Sequence, residues 1–167
     1  MIKQVFNYFL KVVGAAYSGL LAMIIVTIPI RLITHDHVIE FVVSSVICVA
    51  TSMTVILVLC MKDGYDDDGK VSLGKVILYM SLAVLLYDLL TVILQYYTGA
   101  ATNVCDIAIV IKSLDRTTSL KEMADEHGGA MFVSLIIQTI PFIPAMIAGY
   151  LLGGKKRQRS RQKLTGK

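Results

Sequence analysis

A chain of 167 residues that is 56% hydrophobic and 17% charged, with a mean hydropathy of +0.71, falls outside the range of soluble domains, where about a quarter of residues carry charge. Its charges are segregated and leave long uncharged stretches, the pattern of a polytopic membrane protein with one domain's worth of chain. The net charge of +4 is concentrated in a basic C-terminus. A lone basic tail is a poor nucleic-acid signature, so no nucleic-acid partner is expected.

The first predicted span covers about residues 12–31, uncharged from Val12 to Ile30 and bounded by Lys11 and Arg31. It exceeds the 7–15 apolar residues of a signal-peptide core, and no A-x-A site follows, so it reads as a retained helix. Ahead of it, Ile2, Phe6, Phe9 and Val13 share one helical face while Lys3, Gln4, Asn7 and Lys11 lie elsewhere. The first turns therefore suit the membrane interface. Gly14 with Ser18, and Ala15 with Gly19, form small-residue pairs at four-residue spacing, suited to close helix packing. The loop that follows contains His35, His37 and Glu40. With His127 these are the nearest approach to a metal set, but two histidines two apart lack fixed further ligands. They read as solvated loop side chains, with a zinc or copper site as the alternative, and no cofactor is expected.

The second span, about 41–61, is uncharged and contains Thr51, Ser52, Cys48 and Cys60. With Cys105 there are three cysteines and no C-x-x-C, so free thiols are expected; a bridge between two copies through Cys105 is the alternative. The stretch KDGYDDDGKVSLGK reads as a polar inner turn. It fails as a calcium loop: with Gly69 at the sixth position the twelfth is Lys75, where a bidentate carboxylate is required. Asp66, Asp67 and Asp68 are adjacent and cannot converge as spaced carboxylates on a helix do. No nucleophile–base pair, phosphate loop or metal triad appears, so no enzyme activity is expected.

The third span, about 76–97, carries one charge, Asp88, near its centre. A charge there costs at least about 2.5–3.5 kcal/mol, and intramembrane ionisable residues are functional candidates by default. Ser81, Asp88 and Gln95 recur at sevens and so project from nearly one face, flanked by Thr91. That face must look into a bundle or cavity. No span has an interior Lys, Arg or His, so an ion pair within the membrane is excluded. Thr51, Ser52 and Gln138 are the depth-matched polar groups. A carboxyl without a counter-charge in apolar surroundings favours its neutral form or a bound cation. It either glues helices with a hydrogen bond or serves a proton- or cation-coupled step.

The outer segment from Thr98 to Gly129 is too long for a simple connector. Ser119 with Glu122 makes a capping box and a glycine pair follows His127, predicting a short amphipathic helix over Leu120–His127. Before it, VCDIAIVI alternates like a strand or an interfacial segment. The fourth span, about 130–152, contains Pro141 and Pro144, which predict a bend near its middle one turn after Gln138. Ala145, Gly149 and Gly153 form a third small-residue row. Residues 155–167 form a basic tail suited to anionic lipid headgroups, at about 1 kcal/mol per basic residue near the surface.

The sequence thus predicts an all-α membrane protein, a four-transmembrane-helix bundle in a single domain over residues 1–154. Twelve of its sixteen Lys and Arg residues fall on the side of both termini, so both are expected in the cytoplasm. The absence of an N-x-S/T sequon fits a bacterial cell membrane. Two functions are compatible with this architecture. The first is an accessory or assembly subunit of a membrane complex, docking a partner subunit through its small-residue faces. The alternative is a small homo-oligomeric proton- or cation-coupled transporter or channel using Asp88.

Overall fold

The computed structural model describes residues 1–33, 37–67, 71–98 and 139–165. Every regular element among them is a helix: α1 (Ile2–Ile33), α2 (His37–Asp66), α3 (Leu73–Thr98) and α4 (Phe142–Thr165). Three are long and apolar enough to cross a membrane, over Ile2–Ile30, Val46–Asp66 and Leu73–Leu94. By length and composition these mark an integral membrane protein. The predicted helix over 120–127, the first part of the predicted fourth span and the strand-like VCDIAIVI stretch lie outside the described residues.

The helices outrun the apolar stretches that announce them. The first begins ten residues before residue 12, and α2 runs from His37 to Asp66 where the sequence predicts 41–61. Hydropathy ends where charge begins, but a helix needs only its own backbone bonds and continues into water. Lys62 to Asp66 therefore extend α2, and the amide of Asp67 still donates to the Asp63 carbonyl at 2.9 Å. The predicted inner turn is correspondingly shorter. Ser72 then starts α3, its carbonyl accepting from the amides of Lys75 (2.9 Å) and Val76 (3.2 Å). In the same way α4 carries the basic tail, so residues 155–165 are helical.

The main helix contacts pair α2 with α4, α1 with α2, α1 with α3, and α3 with α4. Consecutive helices α2 and α3 thus lie across the bundle from each other. Lys11 meets Asp63 while Gly19, two turns on, meets Cys48 and Ser52, so α1 and α2 run antiparallel. Leu57 meets Gly149 and Met61 meets Gly153, so α2 and α4 run parallel. The core is one stripe per helix: Val12 and Ala15, Ile56 and Cys60, Met80 and Ala83, Ala145 and Met146. Lipid tails are as apolar as these side chains, so packing density and close backbone approach hold such a bundle together.

The α2–α4 contact is the closest. A Cβ on Gly149 would overlap the Leu57 carbonyl, one on Gly153 that of Met61, and one on Gly64 that of Tyr150. Gly64 belongs to the stretch predicted as a turn, but it lies within α2 and is buried. On α1 the two small pairs separate. Ala15 is fully buried and Gly19 has no room for a side chain against Ser52 and Cys48. Gly14 is exposed with open space beside it, and the Ser18 hydroxyl folds back to donate to the Gly14 carbonyl at 2.8 Å.

Candidate functional site

The inward side of α3 is a stripe of Val76, Met80, Ala83, Val84, Tyr87, Asp88 and Thr91, all buried. The spacing is helical, and Asp88 continues an otherwise apolar row. It lies roughly 22 Å along α3 from Leu73 at 1.5 Å per residue, with 4% of its surface exposed. Its partner is Thr139, itself 3% exposed, whose hydroxyl donates to Asp88 Oδ2 at 3.0 Å. The other carboxyl oxygen, Oδ1, is buried and has no hydrogen-bond partner among the described residues. A buried polar atom left unmet costs about 1–3 kcal/mol and needs an explanation.

Thr139 is placed by a local break. Residue 139 is helical, Ile140 and Pro141 form a turn, and α4 starts at Phe142. The first bonds of α4 run from the Ile143 amide to the Ile140 carbonyl (3.2 Å) and from the Ala145 amide to the Pro141 carbonyl (3.3 Å). Pro141 therefore stands ahead of α4, and Pro144 sits in its first turn, where an amide proton has no intrahelical acceptor in any case. Where the sequence predicts a bend in one continuous helix, these residues form a turn followed by a fresh helix start.

The remaining sequence candidates distribute unevenly around Asp88. Thr91 is buried one turn along the same stripe, and Ser81 is half-buried. Ser52 is buried, but against Gly19 at the α1–α2 contact, and Thr51 beside it is half-buried. Both are on α2, the helix across the bundle from α3. Gln95 lies within α3 and His37 opens α2, but their side chains are outside the described residues, as are Gln138, His35, Cys105 and His127. No three His, Cys, Asp or Glu side chains are placed to hold a metal ion among the described residues.

A second polar cluster lies nearer the end that carries the N-terminus. Lys11 pairs with Asp63, the two side chains 15% and 24% exposed, and its ammonium stands 5.4 Å from the centre of the Tyr8 ring. The Tyr150 hydroxyl donates to the Asp67 carboxylate, and Arg157 Nη1 donates to the Asp67 carbonyl. Asp63 and Asp67, four apart at the end of α2, share a face and border an open cleft of about 240 Å³ with Tyr8, Tyr79 and Tyr150. Phe142 to Tyr150 alone separates this cluster from the start of α4 by roughly 12 Å.

Sequence reading missed this cluster. Lys11 sits just before the first predicted span and Asp63 just after the second. In an antiparallel pair such residues share a depth, which is the signal that would have joined them. It missed Thr139 by one residue, naming Gln138 beside it.

Chemically, the Asp88–Thr139 pair offers a buried carboxyl with one oxygen engaged and one that has no partner among the described residues. Such a group takes up a proton, a cation or a hydrogen-bond donor. No protein-family model, curated protein or solved structure matches the chain, so the reading rests on this geometry.

Proposed function

We propose that the protein is a small integral membrane protein that moves a proton or small cation through a site at Asp88, acting as a homo-oligomer in a bacterial cell membrane. The proposal includes four spans, the last combining residues from 130 onward with the start of α4, and cytoplasmic termini. The observation that carries it is the buried Oδ1 of Asp88, without a hydrogen-bond partner among the described residues, beside an oxygen that Thr139 satisfies. A carboxyl serving only to join helices is best used with its polar atoms matched, because an unmet atom in the interior works against assembly. A buried oxygen without a partner among the described residues suits a group that exchanges a proton or ion. Oligomerisation belongs to the reading because four helices rarely enclose a pathway alone.

A second reading has its own support. Gly14 and Ser18 leave a small-residue strip of α1 open, with nothing near Gly14 among the described residues, and such strips suit docking of another helix. This is the accessory-subunit reading, in which Asp88 is structural. The two part on Asp88→Asn, which keeps the size and can still accept from Thr139 but cannot titrate. In liposomes the wild type is expected to show pH- or cation-dependent flux that the variant loses by at least tenfold. Flux unchanged by the substitution would remove Asp88 from transport.

A further inference from the structure

We propose that the groove between α2 and α4, at the end carrying the basic tail, is a binding site for one anionic phospholipid. In this arrangement the lipid phosphate lies between Lys62 and Lys156 and an acyl chain runs along Val58 and Met61. The proposal does not depend on the Asp88 reading.

The groove has a volume of about 360 Å³ and is lined by Val58, Met61, Lys62, Tyr65 and Lys156. Four of these are on α2 at spacings of three and four, so they form one stripe along that helix. The fifth comes from α4. Gly153 lies against the Met61 carbonyl and the Tyr65 amide, and this backbone contact brings Lys156, three residues on, alongside the end of α2. The glycine seam thus sets two ammonium groups on one groove.

Two like charges at one site repel and need an anion to offset them. Among the described residues no carboxylate lines the groove. Neither Lys62 nor Lys156 has an ion-pair partner among the described residues, whereas Lys11 pairs with Asp63. The groove therefore has unmet positive charge. It also has a direction. Val58 and Met61 lie within the membrane-crossing part of α2, and Lys62 and Tyr65 lie at its end. An apolar floor followed by a polar end with ammonium and phenol groups matches the order of acyl chain and headgroup in a bilayer. A free phosphate would use the lysines but not the floor, so the occupant that fits the whole groove is a phospholipid.

The test uses the full-length protein, delipidated in mild detergent and titrated with phosphatidylglycerol, with phosphatidylcholine of the same chains, or with inorganic phosphate. Bound lipid is counted by native mass spectrometry. Phosphatidylglycerol is expected to bind at least tenfold more tightly than phosphatidylcholine. The paired change Lys62→Gln with Lys156→Gln is expected to weaken it roughly 30-fold, about fivefold for each lysine. Lys155→Gln with Lys163→Gln, which removes the same charge outside the groove, is expected to stay within threefold of wild type. All four lysines are exposed, so neither pair disturbs packing. Equal binding of the two lipids would overturn the proposal. So would an equal loss in both paired variants, which would mean bulk attraction by the tail. Displacement of the lipid by inorganic phosphate would overturn it in favour of a free-phosphate site.

Discussion

Asp88 on α3 meets Thr139, just ahead of the turn that precedes α4, and each is nearly inaccessible. Changing Thr139 to Val keeps the shape and removes the hydroxyl, leaving both Asp88 oxygens without a described partner. The loss is expected to be about 1–3 kcal/mol, read as a lower melting temperature in detergent, while Thr139→Ser stays near wild type. A Val variant as stable as wild type would show that the bond is not needed. Cys48 and Cys60 are 5% and 0% exposed. Both are expected to resist maleimide in the folded protein and react after denaturation. At this scale the inward direction of Asp88 was legible, because a carboxyl cannot face lipid and the neighbouring Thr91 shares its side of α3. Its partner was not legible. The sequence predicts a bent but continuous helix near Pro141 and names the amide of Gln138, which lies outside the described residues, rather than the hydroxyl of Thr139 beside it.

The α2–α4 seam is a property of whole elements, since Gly64, Gly149 and Gly153 each set one backbone against the other. Adding a methyl group there forces the helices apart, at a cost of about 1–3 kcal/mol. Gly153→Ala is thus expected to lower the melting temperature. Gly14→Ala is expected to be neutral or to stabilise by up to about 1 kcal/mol, because no described residue lies near Gly14 and alanine favours the helix. Equal effects at the two positions would deny that the seam is close-packed. Gly149 and Gly153 were legible as a four-residue row. Gly64 was not, because the acidic residues around it look like a turn while the backbone is still helical. The helix ends share that cause: side-chain charge marks where the apolar stretch stops, and α1, α2 and α4 continue past it.

The class of the whole molecule was legible from composition alone, since uncharged stretches of about 20 residues in a short chain leave little else to form. The pairing of helices was not. Apolar stretches of similar hydropathy do not say which neighbours touch, and the glycine contacts that join α2 to α4 are visible only as spacing until both helices are in place. The proposed topology puts both ends of the chain on one side. Cysteines introduced near Lys3 and at Lys163 are expected to be labelled by an impermeant reagent only after the membrane is opened. Labelling of either one in intact cells would contradict that arrangement.

The central claim is that the carboxyl of Asp88 changes state inside the bundle. Infrared difference spectroscopy of the protein in lipid, recorded across a pH titration and on exchange of the cation, tests this most directly. A carboxyl band that responds to one of these and is missing in Asp88→Asn is the predicted result. Wild-type and variant spectra that respond identically would contradict the claim and leave Asp88 as a structural contact with Thr139.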